Sequence, residues 1–291
     1  MPELPEVETV RRGLASLIIH KVVRDTSVRD SPKSFPNEPQ SVREFLIGSS
    51  VVDIRRRAKI LLIDLSTNYT LVIHLKMTGQ LVYRGEQVFG AGHPNDSLVG
   101  ELPDNTTRVI IEFDDGSHLY FNDQRKFGWV KLYPTVEVPN IDFMQRVGPE
   151  PLEDSFTADI FIPRIRRRNG ATIKAAILDQ TVLAGVGNIY ADESLWGARI
   201  HPATRVKNVT EEQLSVLLSE IKYVMNLSIE KGGSTDRNYV NAEGKKGSYI
   251  DFARVFRKEN TPCPRHPDAL IEKTRVAGRG THLCPVCQVI Q

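Results

Sequence analysis

The chain has 291 residues, which is enough for two domains and a small appendage. Its 40% hydrophobic and 25% charged residues are ordinary for a soluble globular protein, and its formal charge of +2 by itself indicates no partner. No apolar run approaches the roughly 20 residues of a membrane helix, and the N-terminal residues lack the basic and apolar regions of a signal peptide. We therefore exclude a membrane protein and expect a cytosolic one.

The first half of the chain is predicted to be a helix followed by strands. The helix begins at Pro5, where the missing N–H of proline costs nothing, and its apolar residues share one face. Short strand-like runs follow, and their spacing indicates a β-sandwich or barrel. The runs are residues 51–54, 60–65, 71–75, 80–83, 109–113, 118–121 and 129–133. The Gly-, Pro-, Asn- and Asp-rich stretch 85–105 is predicted to be an exposed loop.

The second half is predicted to be helical and to end in a separate small module. Prolines without a periodic apolar run predict a linker, whereas apolar residues at 3.6-residue spacing from Leu214 to Ile229 predict a long helix. The Gly- and charge-rich stretch 232–247 is predicted to be a flexible loop. We therefore expect an α+β protein in four parts. These are a β-sandwich domain over 1–133, a linker over 134–151, a helical domain over 152–262 and a metal module over 263–291.

The cysteines of the chain all lie in the last part and are spaced as in zinc ribbons. Cys263-Pro-Arg-His266 is followed, after 17 residues, by Cys284-Pro-Val-Cys287. Four nitrogen and sulfur ligands complete a tetrahedral structural Zn²⁺ site, and the metal supplies the folding energy that so short a segment lacks. His282 lies nearby, but the spacing favours His266 as the fourth ligand.

Basic residues are clustered, which favours a nucleic-acid partner. Dense runs occur at 55–59 and 164–168, and residues 254–291 contain seven Lys or Arg against three acidic side chains. Between the two ligand pairs, residues 273–281 are predicted to form a hairpin with basic side chains. A hairpin of this kind, held by a metal, is suited to a DNA backbone or groove.

Three segments carry a resemblance to one family. They are Pro2-Glu-Leu-Pro-Glu-Val-Glu8, the stretch Gln180–Glu193 with Gly185-Val-Gly-Asn188, and the stretch Gly278–Gln288. Together they closely resemble the formamidopyrimidine-DNA glycosylases of the helix–two-turn–helix superfamily. The resemblance implies an N-terminal β-sandwich with a leading helix, a helix–two-turn–helix domain and a β-hairpin zinc finger. It also implies an enzyme that excises oxidised purines from damaged duplex DNA, with no protein partner implied. We expect a monomer in the bacterial cytosol or nucleoid, because one duplex site is served by the domains and the finger of one chain.

The resemblance assigns the chemistry to the N-terminus. The amine of Pro2, exposed by removal of Met1, is the implied nucleophile, because an α-amino group with a pKa near ~8 keeps a usable neutral fraction at pH 7. Its attack leaves a Schiff base to the DNA, from which β- and δ-elimination cut the strand. Glu3 is the implied general acid and base, Glu6 positions the site, and Lys59 lies near the lesion phosphate and sugar. Without the motif, Glu3 and Glu6 would each be interpreted as an exposed carboxylate at a helix start, and Lys59 as a surface charge.

DNA contacts are implied for two further groups of residues. Met77, Arg125 and Phe127 align with the side chains that fill the void left by the flipped base, although core packing is the alternative for the Met and the Phe. The residues that match the family's phosphate-binding positions are Lys174, Asn188 and Arg279. His74 is a further candidate for a DNA-backbone contact, and a structural role explains it equally well. The chain departs from the family pattern at Lys174-Ala-Ala176, where Lys-Pro is commoner, and at His266, where a cysteine is usual.

Two alternatives remain open from the sequence. One is a sister enzyme that acts on oxidised pyrimidines, which is disfavoured by the leucine at position 4 and by the void-filling residues. Stretch 232–249 also resembles the loop that covers a flipped oxidised purine. The other alternative is a protein that binds damaged or bent DNA without catalysis. Intact Pro2, Glu3 and Lys59 argue against it, because a pure binder has no need of an N-terminal amine.

Overall fold

The computed structural model describes residues 2–93, 95–234 and 249–291. They divide into two compact units, one that runs to Gln145 and includes the segment beginning at Lys231, and another of Arg146–Glu230 with Tyr249–Gln291. The division falls inside the predicted linker, and the zinc-ribbon segment belongs to the same unit as the helices. The predicted loop 232–247 lies almost wholly outside the described residues.

The first unit is a β-sandwich behind an N-terminal helix, as predicted. The helices are α1 (Leu4–Ile18) and α2 (Pro39–Phe45), with short 3₁₀ turns at Pro32–Ser34 and Asp96–Leu98. The strands are β1 (Val23–Val28), β2 (Val51–Arg57), β3 (Ile60–Leu65), β4 (Tyr69–His74), β5 (Gly79–Arg84), β6 (Val88–Gly92), β7 (Thr107–Phe113), β8 (His118–Asp123) and β9 (Trp129–Pro134). They form two antiparallel sheets with the strand orders β1-β7-β8-β5-β6 and β2-β3-β4-β9.

The core of this unit explains why its inner strands are continuous apolar runs. One face of β3 and β4 packs, with the apolar face of α1, into the main core, which includes Leu14, Leu61 and Ile73. The opposite face of the same strands is buried in a second cluster that includes Ile60 and Val72. Strands buried on both faces lose the alternation of polar and apolar residues that a half-exposed strand shows.

The first part of the predicted linker is structured and completes that second cluster. A 3₁₀ turn at Thr135–Asn140 leads into α3 (Asp142–Arg146). Val138 is buried there, and Phe143 and Met144 pack against the outer face of the sheet. Prolines therefore mark tight turns here and not a free linker, since a short turn leaves no room for a periodic apolar run.

Two strands were not predicted, and each has a physical reason. The exposed-loop prediction for 85–105 is wrong over β6, where Phe89 lies so close to α1 that a Cβ on Gly13 would meet its ring at 2.2 Å. The strand has only one adjacent apolar pair followed by small residues, which is too short for a periodic signal. Strand β1 is an edge strand and mostly exposed, so its sequence is largely polar.

The second unit is helical and contains a two-stranded hairpin. Its helices are α4 (Ala158–Arg166), α5 (Ile173–Leu178), α6 (Asn188–Gly197) and α7 (Glu211–Glu230), with 3₁₀ turns at Val206–Asn208 and Tyr249–Phe252, and its hairpin strands are β10 (Glu272–Val276) and β11 (Arg279–Leu283). The predicted apolar stripe is confirmed, since the α7 residues Leu214, Ile221 and Met225 are buried. Among the described residues, no helix combines the length and the apolar character needed to cross a membrane.

Candidate active site and nucleic-acid interface

The N-terminal segment is a hydrogen-bonded helix start. Pro2, Glu3 and Glu6 are buried, and the Glu3 backbone N–H donates to Glu6 Oε2 at 2.7 Å in a capping box. Glu6 Oε1 accepts bonds of 2.8 Å from both the backbone N–H and the hydroxyl of Ser234. Glu6 thus holds the residue next to Pro2 and also the start of the segment that the sequence likens to a lesion-covering loop.

Lys59 lies in the tight turn between β2 and β3, which is bonded to α1. It is buried, and it follows Ala58, which has a positive φ of 52°. Arg56 connects this turn to the helix, because its guanidinium donates to Ala58 O at 3.0 Å and to Glu8 Oε2 at 3.1 Å. The strand turn with Lys59 and the helix that follows Pro2 are therefore fixed to each other.

Glu8 is a functional candidate that sequence reasoning missed, although it ends the quoted N-terminal motif. Burial alone would raise its pKa, but hydrogen bonds from Arg11 and Arg12, together with the charges of Arg11 and Arg56, lower the pKa to about 2. A carboxylate that is ionised at every ordinary pH and has three arginine partners stabilises the joint between α1 and β2.

His74 is a neutral, oriented side chain at the end of β4. Burial, and then the charges of Lys76 and Lys59, lower its pKa to about 3. Its Nδ1 accepts a 3.0 Å hydrogen bond from the Lys76 backbone N–H, which leaves Nε2 as the protonated nitrogen. His74 can therefore donate one neutral hydrogen bond but contributes no charge to a DNA contact.

The three predicted void-filling side chains come together on two neighbouring turns. Met77 lies between β4 and β5, whereas Arg125 and Phe127 lie between β8 and β9. Arg125 Nη1 is 3.2 Å from Met77 Sδ, and its guanidinium lies 4.8 Å from the centre of the Phe127 ring. Met77 is 41% exposed and Phe127 53% exposed, so the alternative of ordinary core packing is wrong for both.

In the second unit, Lys174 is inside the protein and not on its surface. Its side chain is fully buried and its ammonium bonds Asp192 Oδ1 at 2.6 Å, Thr281 Oγ1 at 2.7 Å and Gly280 O at 3.1 Å. An ammonium has three protons, and these three protein acceptors satisfy them. Lys174 therefore joins α5 to α6 and to β11, and the geometry does not support the predicted direct phosphate contact.

Asn188 and Arg279 lie near each other through the same hairpin. Asn188 is the first residue of α6 and donates from Nδ2 to Gly280 O at 3.0 Å. Arg279 is exposed beside a two-residue turn in which Ala277 and Gly278 have positive φ values of 51° and 73°. The start of α6 is therefore bonded to the strand that carries the exposed Arg279, and a guanidinium and a helix N-terminus both favour a bound anion.

The cysteines form one cluster at the base of the hairpin. The sulfur atoms of Cys263, Cys284 and Cys287 lie within 4.8 Å of one another and are buried, and within the described ranges no fourth His, Cys, Asp or Glu ligand atom meets that spacing. His266 is on the Cys263 turn, where its backbone N–H donates to Cys263 O at 3.1 Å. Its place as fourth ligand stays a prediction.

The thiols themselves indicate a cation. Burial raises the pKa of Cys263, but hydrogen bonds from the backbone N–H groups of Arg265 and His266 and from the side chains of Trp196 and Cys284 more than offset this and lower the pKa to about 7. Burial and the neighbouring thiols raise the pKa of Cys287 to about 12. Three buried sulfurs so close together can all ionise only around a cation. The alternative histidine, His282, contributes no ring nitrogen within 4.8 Å of all three sulfur atoms, and its Nδ1 lies 3.2 Å from Asp192 Oδ2.

The chain matches known proteins along its full length. Residues 1–130 match the formamidopyrimidine-DNA glycosylase N-terminal domain, residues 147–239 its H2TH domain, and residues 269–289 a zinc finger found in FPG and IleRS. The chain is 41% identical to the formamidopyrimidine-DNA glycosylase of Pediococcus pentosaceus and 37% identical to that of Pelotomaculum thermopropionicum, over 100% of each chain. The chain belongs to the formamidopyrimidine-DNA glycosylase family.

Solved structures of formamidopyrimidine-DNA glycosylases share this fold. A Lactococcus lactis FPG mutant in complex with Fapy-dG containing DNA matches with a TM-score of 0.86 and 32% identity, covering 99% of this chain and 100% of that chain. The MutM (FPG) protein of Thermus thermophilus matches with a TM-score of 0.83 and 35% identity over 100% of both chains. The family is one of DNA glycosylases with abasic-site lyase activity, and its zinc finger agrees with one structural zinc ion at the cysteine cluster.

Proposed function

We propose that this chain excises oxidised purines, such as 8-oxoguanine and formamidopyrimidines, from duplex DNA and then cleaves the strand. The observation that carries the proposal is the buried, hydrogen-bonded start of α1 with Pro2, Glu3 and Glu6, in a chain whose full-length relatives are formamidopyrimidine-DNA glycosylases. Among the solved relatives, a Lactococcus lactis FPG mutant bound to Fapy-dG containing DNA supports a purine lesion as the substrate, and the Lactococcus lactis Fpg bound to abasic-site DNA supports the lyase step.

The chemistry follows from a secondary amine at the N-terminus. The Pro2 nitrogen attacks the sugar carbon that holds the base, the base leaves with its bonding electrons, and an iminium to the opened sugar remains. Glu3 transfers protons during ring opening, while Glu6 holds the Glu3 backbone and the Ser234 segment in place. The iminium then accepts the electrons released by successive β- and δ-elimination. Lys59 contributes a positive charge near the lesion sugar and phosphate.

Damaged DNA is held by separate wedge and phosphate contacts. Met77, Arg125 and Phe127 fill the void left by the flipped base, because exposed apolar side chains can insert between base steps. Asn188, Arg279 and the α6 N-terminus bind backbone phosphate, and His74 offers a neutral donor. The zinc ion takes no part in the chemistry and holds the hairpin, with Cys263, His266, Cys284 and Cys287 as its proposed ligands.

The setting of this activity follows from its substrate and its relatives. The matched relatives are bacterial proteins, so we place the enzyme in the bacterial cytoplasm at the nucleoid. We propose that one chain serves one lesion as a monomer. The four-part organisation remains a proposal in which residues 1–133 supply the catalytic groups and residues 152–262 and 263–291 supply the backbone contacts.

Borohydride trapping tests this function. Wild type and Pro2→Gly would be incubated with a duplex carrying one 8-oxoguanine opposite cytosine, and with a duplex carrying an oxidised pyrimidine. We expect a covalent adduct of wild type on the purine lesion that is lost or greatly weakened in Pro2→Gly.

Trapping only on the pyrimidine duplex would assign the chain to the sister activity. No adduct on either duplex, with removal of Met1 verified by mass spectrometry, would leave a protein that binds damaged DNA without catalysis.

A further inference from the structure

We propose that Thr78 and Asp123 are positioning residues that lock the two wedge-bearing turns into one rigid unit. The inference rests on the proposed function, because it concerns how Met77, Arg125 and Phe127 are held for insertion. Neither residue touches the reacting atoms. Their effect is on the step that extrudes the base.

Asp123 is the centre of the arrangement. It is the last residue of β8, its exposure is 0%, and its carboxylate has an acceptor oxygen on each side of the turn. Oδ2 accepts from the Gly128 backbone N–H at 2.6 Å, and Oδ1 accepts from the Arg125 backbone N–H at 3.2 Å. The carboxylate therefore spans the whole turn that carries Arg125 and Phe127, and it closes that turn at both ends.

Thr78 joins this turn to the other one. It follows Met77 directly, and its buried hydroxyl donates to Asp123 Oδ1. The same hydroxyl accepts from the Arg125 backbone N–H at 3.0 Å. The Thr78 hydroxyl thus bonds both the Arg125 backbone and the Asp123 carboxylate. Because Thr78 is the next residue after Met77, these bonds connect the Met77 turn to the Arg125 turn.

The surroundings leave little room for either turn to relax. A Cβ on Gly128 would lie 2.7 Å from the Phe121 ring and 2.9 Å from His74 O, so the turn sits directly against the sheet. Arg108 is buried and donates from Nε to Asp123 O at 2.9 Å. Both turns also contain a lysine in the left-handed region, Lys76 with a φ of 50° and Lys126 with a φ of 59°. A backbone in this conformation keeps its shape only when neighbouring bonds fix it.

Loss of this rigidity should affect the two activities of the enzyme, base excision and strand cleavage at an abasic site, to different extents. Extruding a stacked base needs the three wedge side chains in a fixed geometry, and a displacement of about 1 Å in a positioned group can cost about 100-fold in rate. At a pre-formed abasic site there is no base to extrude, so the lyase reaction depends far less on the wedge. Loosening the turns should therefore slow base excision while leaving the lyase step nearly intact.

The decisive experiment compares single-turnover rates on two substrates. The variants are Thr78→Val, which removes the hydroxyl but keeps the shape, and Asp123→Asn, whose one amide oxygen cannot serve both sides of the turn. Thr70→Val is the matched control, since Thr70 is also buried and its hydroxyl also donates to a carboxylate, Asp64 Oδ1 at 2.7 Å, away from the wedge.

We expect excision of 8-oxoguanine to slow at least about tenfold in both wedge variants, with lyase activity on an abasic duplex changed less than about threefold. A 2-aminopurine beside the lesion should report slower unstacking in the same variants, and Thr70→Val should behave as wild type in both assays. Equal losses on the two substrates, or no loss on either, would overturn the inference. A wild-type enzyme that leaves the 8-oxoguanine duplex intact would instead overturn the proposed function.

Discussion

At the scale of single residues, the site depends on charges whose ionisation is set by their neighbours. Glu8 and His74 are both buried, yet Glu8 is charged and His74 is neutral at pH 7. Arginine partners keep Glu8 charged, whereas burial next to two lysines keeps His74 neutral. The difference follows from which charges each side chain meets in the fold, and neither state can be read from the residue type.

Glu8→Gln tests the joint between α1 and the Lys59 turn. The folded pKa of Glu8, about 2, lies below its ordinary value of 4.5, so its stabilising effect is complete above pH 4.5 and is lost as pH falls toward 2. We expect urea unfolding at pH 7 to show a loss of about 1–3 kcal/mol, as for hydrogen bonds to a charged group. The deficit should shrink as pH falls below 4.5. Glu86→Gln, at an exposed position of the same unit, is the control, and an equal deficit at pH 7 and pH 3 would contradict the prediction.

His74 should not titrate near neutral pH. Its folded pKa of about 3 lies below the ordinary value of 6.5, so the folded state disfavours its protonation. The stability associated with neutral His74 is present above pH 6.5 and falls as pH drops from there toward 3. We expect NMR of the imidazole nitrogens to show an Nε2–H tautomer that is unchanged from pH 8 to pH 5. A midpoint near 6.5 would show that the burial and the lysine charges do not act as described.

At the scale of elements, one buried ion pair holds the hairpin to the helices. Lys174 on α5 and Asp192 on α6 are both fully buried and pair with each other. Two residues of β11 add hydrogen bonds to this pair, since Thr281 accepts from the Lys174 ammonium and the His282 backbone N–H donates to Asp192. The hairpin is therefore positioned by polar contacts as well as by the cysteine cluster. Asn188 adds a further bond to the same strand.

Lys174→Met separates this structural role from the predicted phosphate contact. Removing one partner of a buried pair leaves an uncompensated charge and typically costs about 3–5 kcal/mol, whereas replacing both with apolar side chains costs much less. We expect a large loss in urea unfolding for Lys174→Met and a much smaller one for Lys174→Met with Asp192→Leu. If Lys174→Met kept its stability but bound DNA more weakly, with a less steep dependence of log affinity on log salt concentration, Lys174 would be a phosphate ligand.

Replacing His266 tests the fourth zinc position. Removing a ligand from a tetrahedral site weakens metal binding strongly, while a cysteine restores a full ligand set. We expect one zinc per chain in wild type and in His266→Cys, and chelator-driven release that is at least about tenfold faster in His266→Ala. DNA affinity should fall as the metal leaves. Release from His266→Ala at the wild-type rate would remove His266 from the ligand set.

At the scale of the whole molecule, clustered basic residues are not equivalent to a basic surface. Arginines of the run 164–168 are largely engaged within the protein. Arg166 donates to Val206 O at 2.6 Å and to Val209 O at 2.7 Å, and Arg168 pairs with Asp179 at 2.6 Å. In the other run, Arg55 and Arg56 bond Asp64 and Glu8. These two runs therefore overstate the charge that is available to DNA.

Salt dependence of DNA binding distinguishes the two kinds of arginine. Each released phosphate contact lowers the slope of log affinity against log salt by about 0.9. We expect Arg279→Met to reduce the slope by about 1 with little change in stability. Arg166→Met should leave the slope unchanged and cost about 1–2 kcal/mol in urea unfolding, because two carbonyl groups lose their donor. The reverse pattern would place the DNA-facing charge on α4.

The sequence by itself determined the family, the β-sandwich and helical parts, the zinc finger and the candidate residues. Motif, spacing and periodicity can each be read along the chain without knowing which remote segments come into contact. The missed strands show the limit of such signals. An exposed edge strand such as β1 lacks alternation, and β6 is defined by the helix that it packs against.

Only the tertiary structure decided which candidate side chains are exposed, paired or brought together. Met77 and Phe127 are exposed although their residue types favour a core, and Lys174 is buried although its type favours the surface. Thr78 and Asp123, 45 positions apart, share a hydrogen bond that no spacing in the sequence predicts. Burial, ionisation and the joining of distant turns depend on contacts between remote segments, and these contacts exist only once the chain has folded.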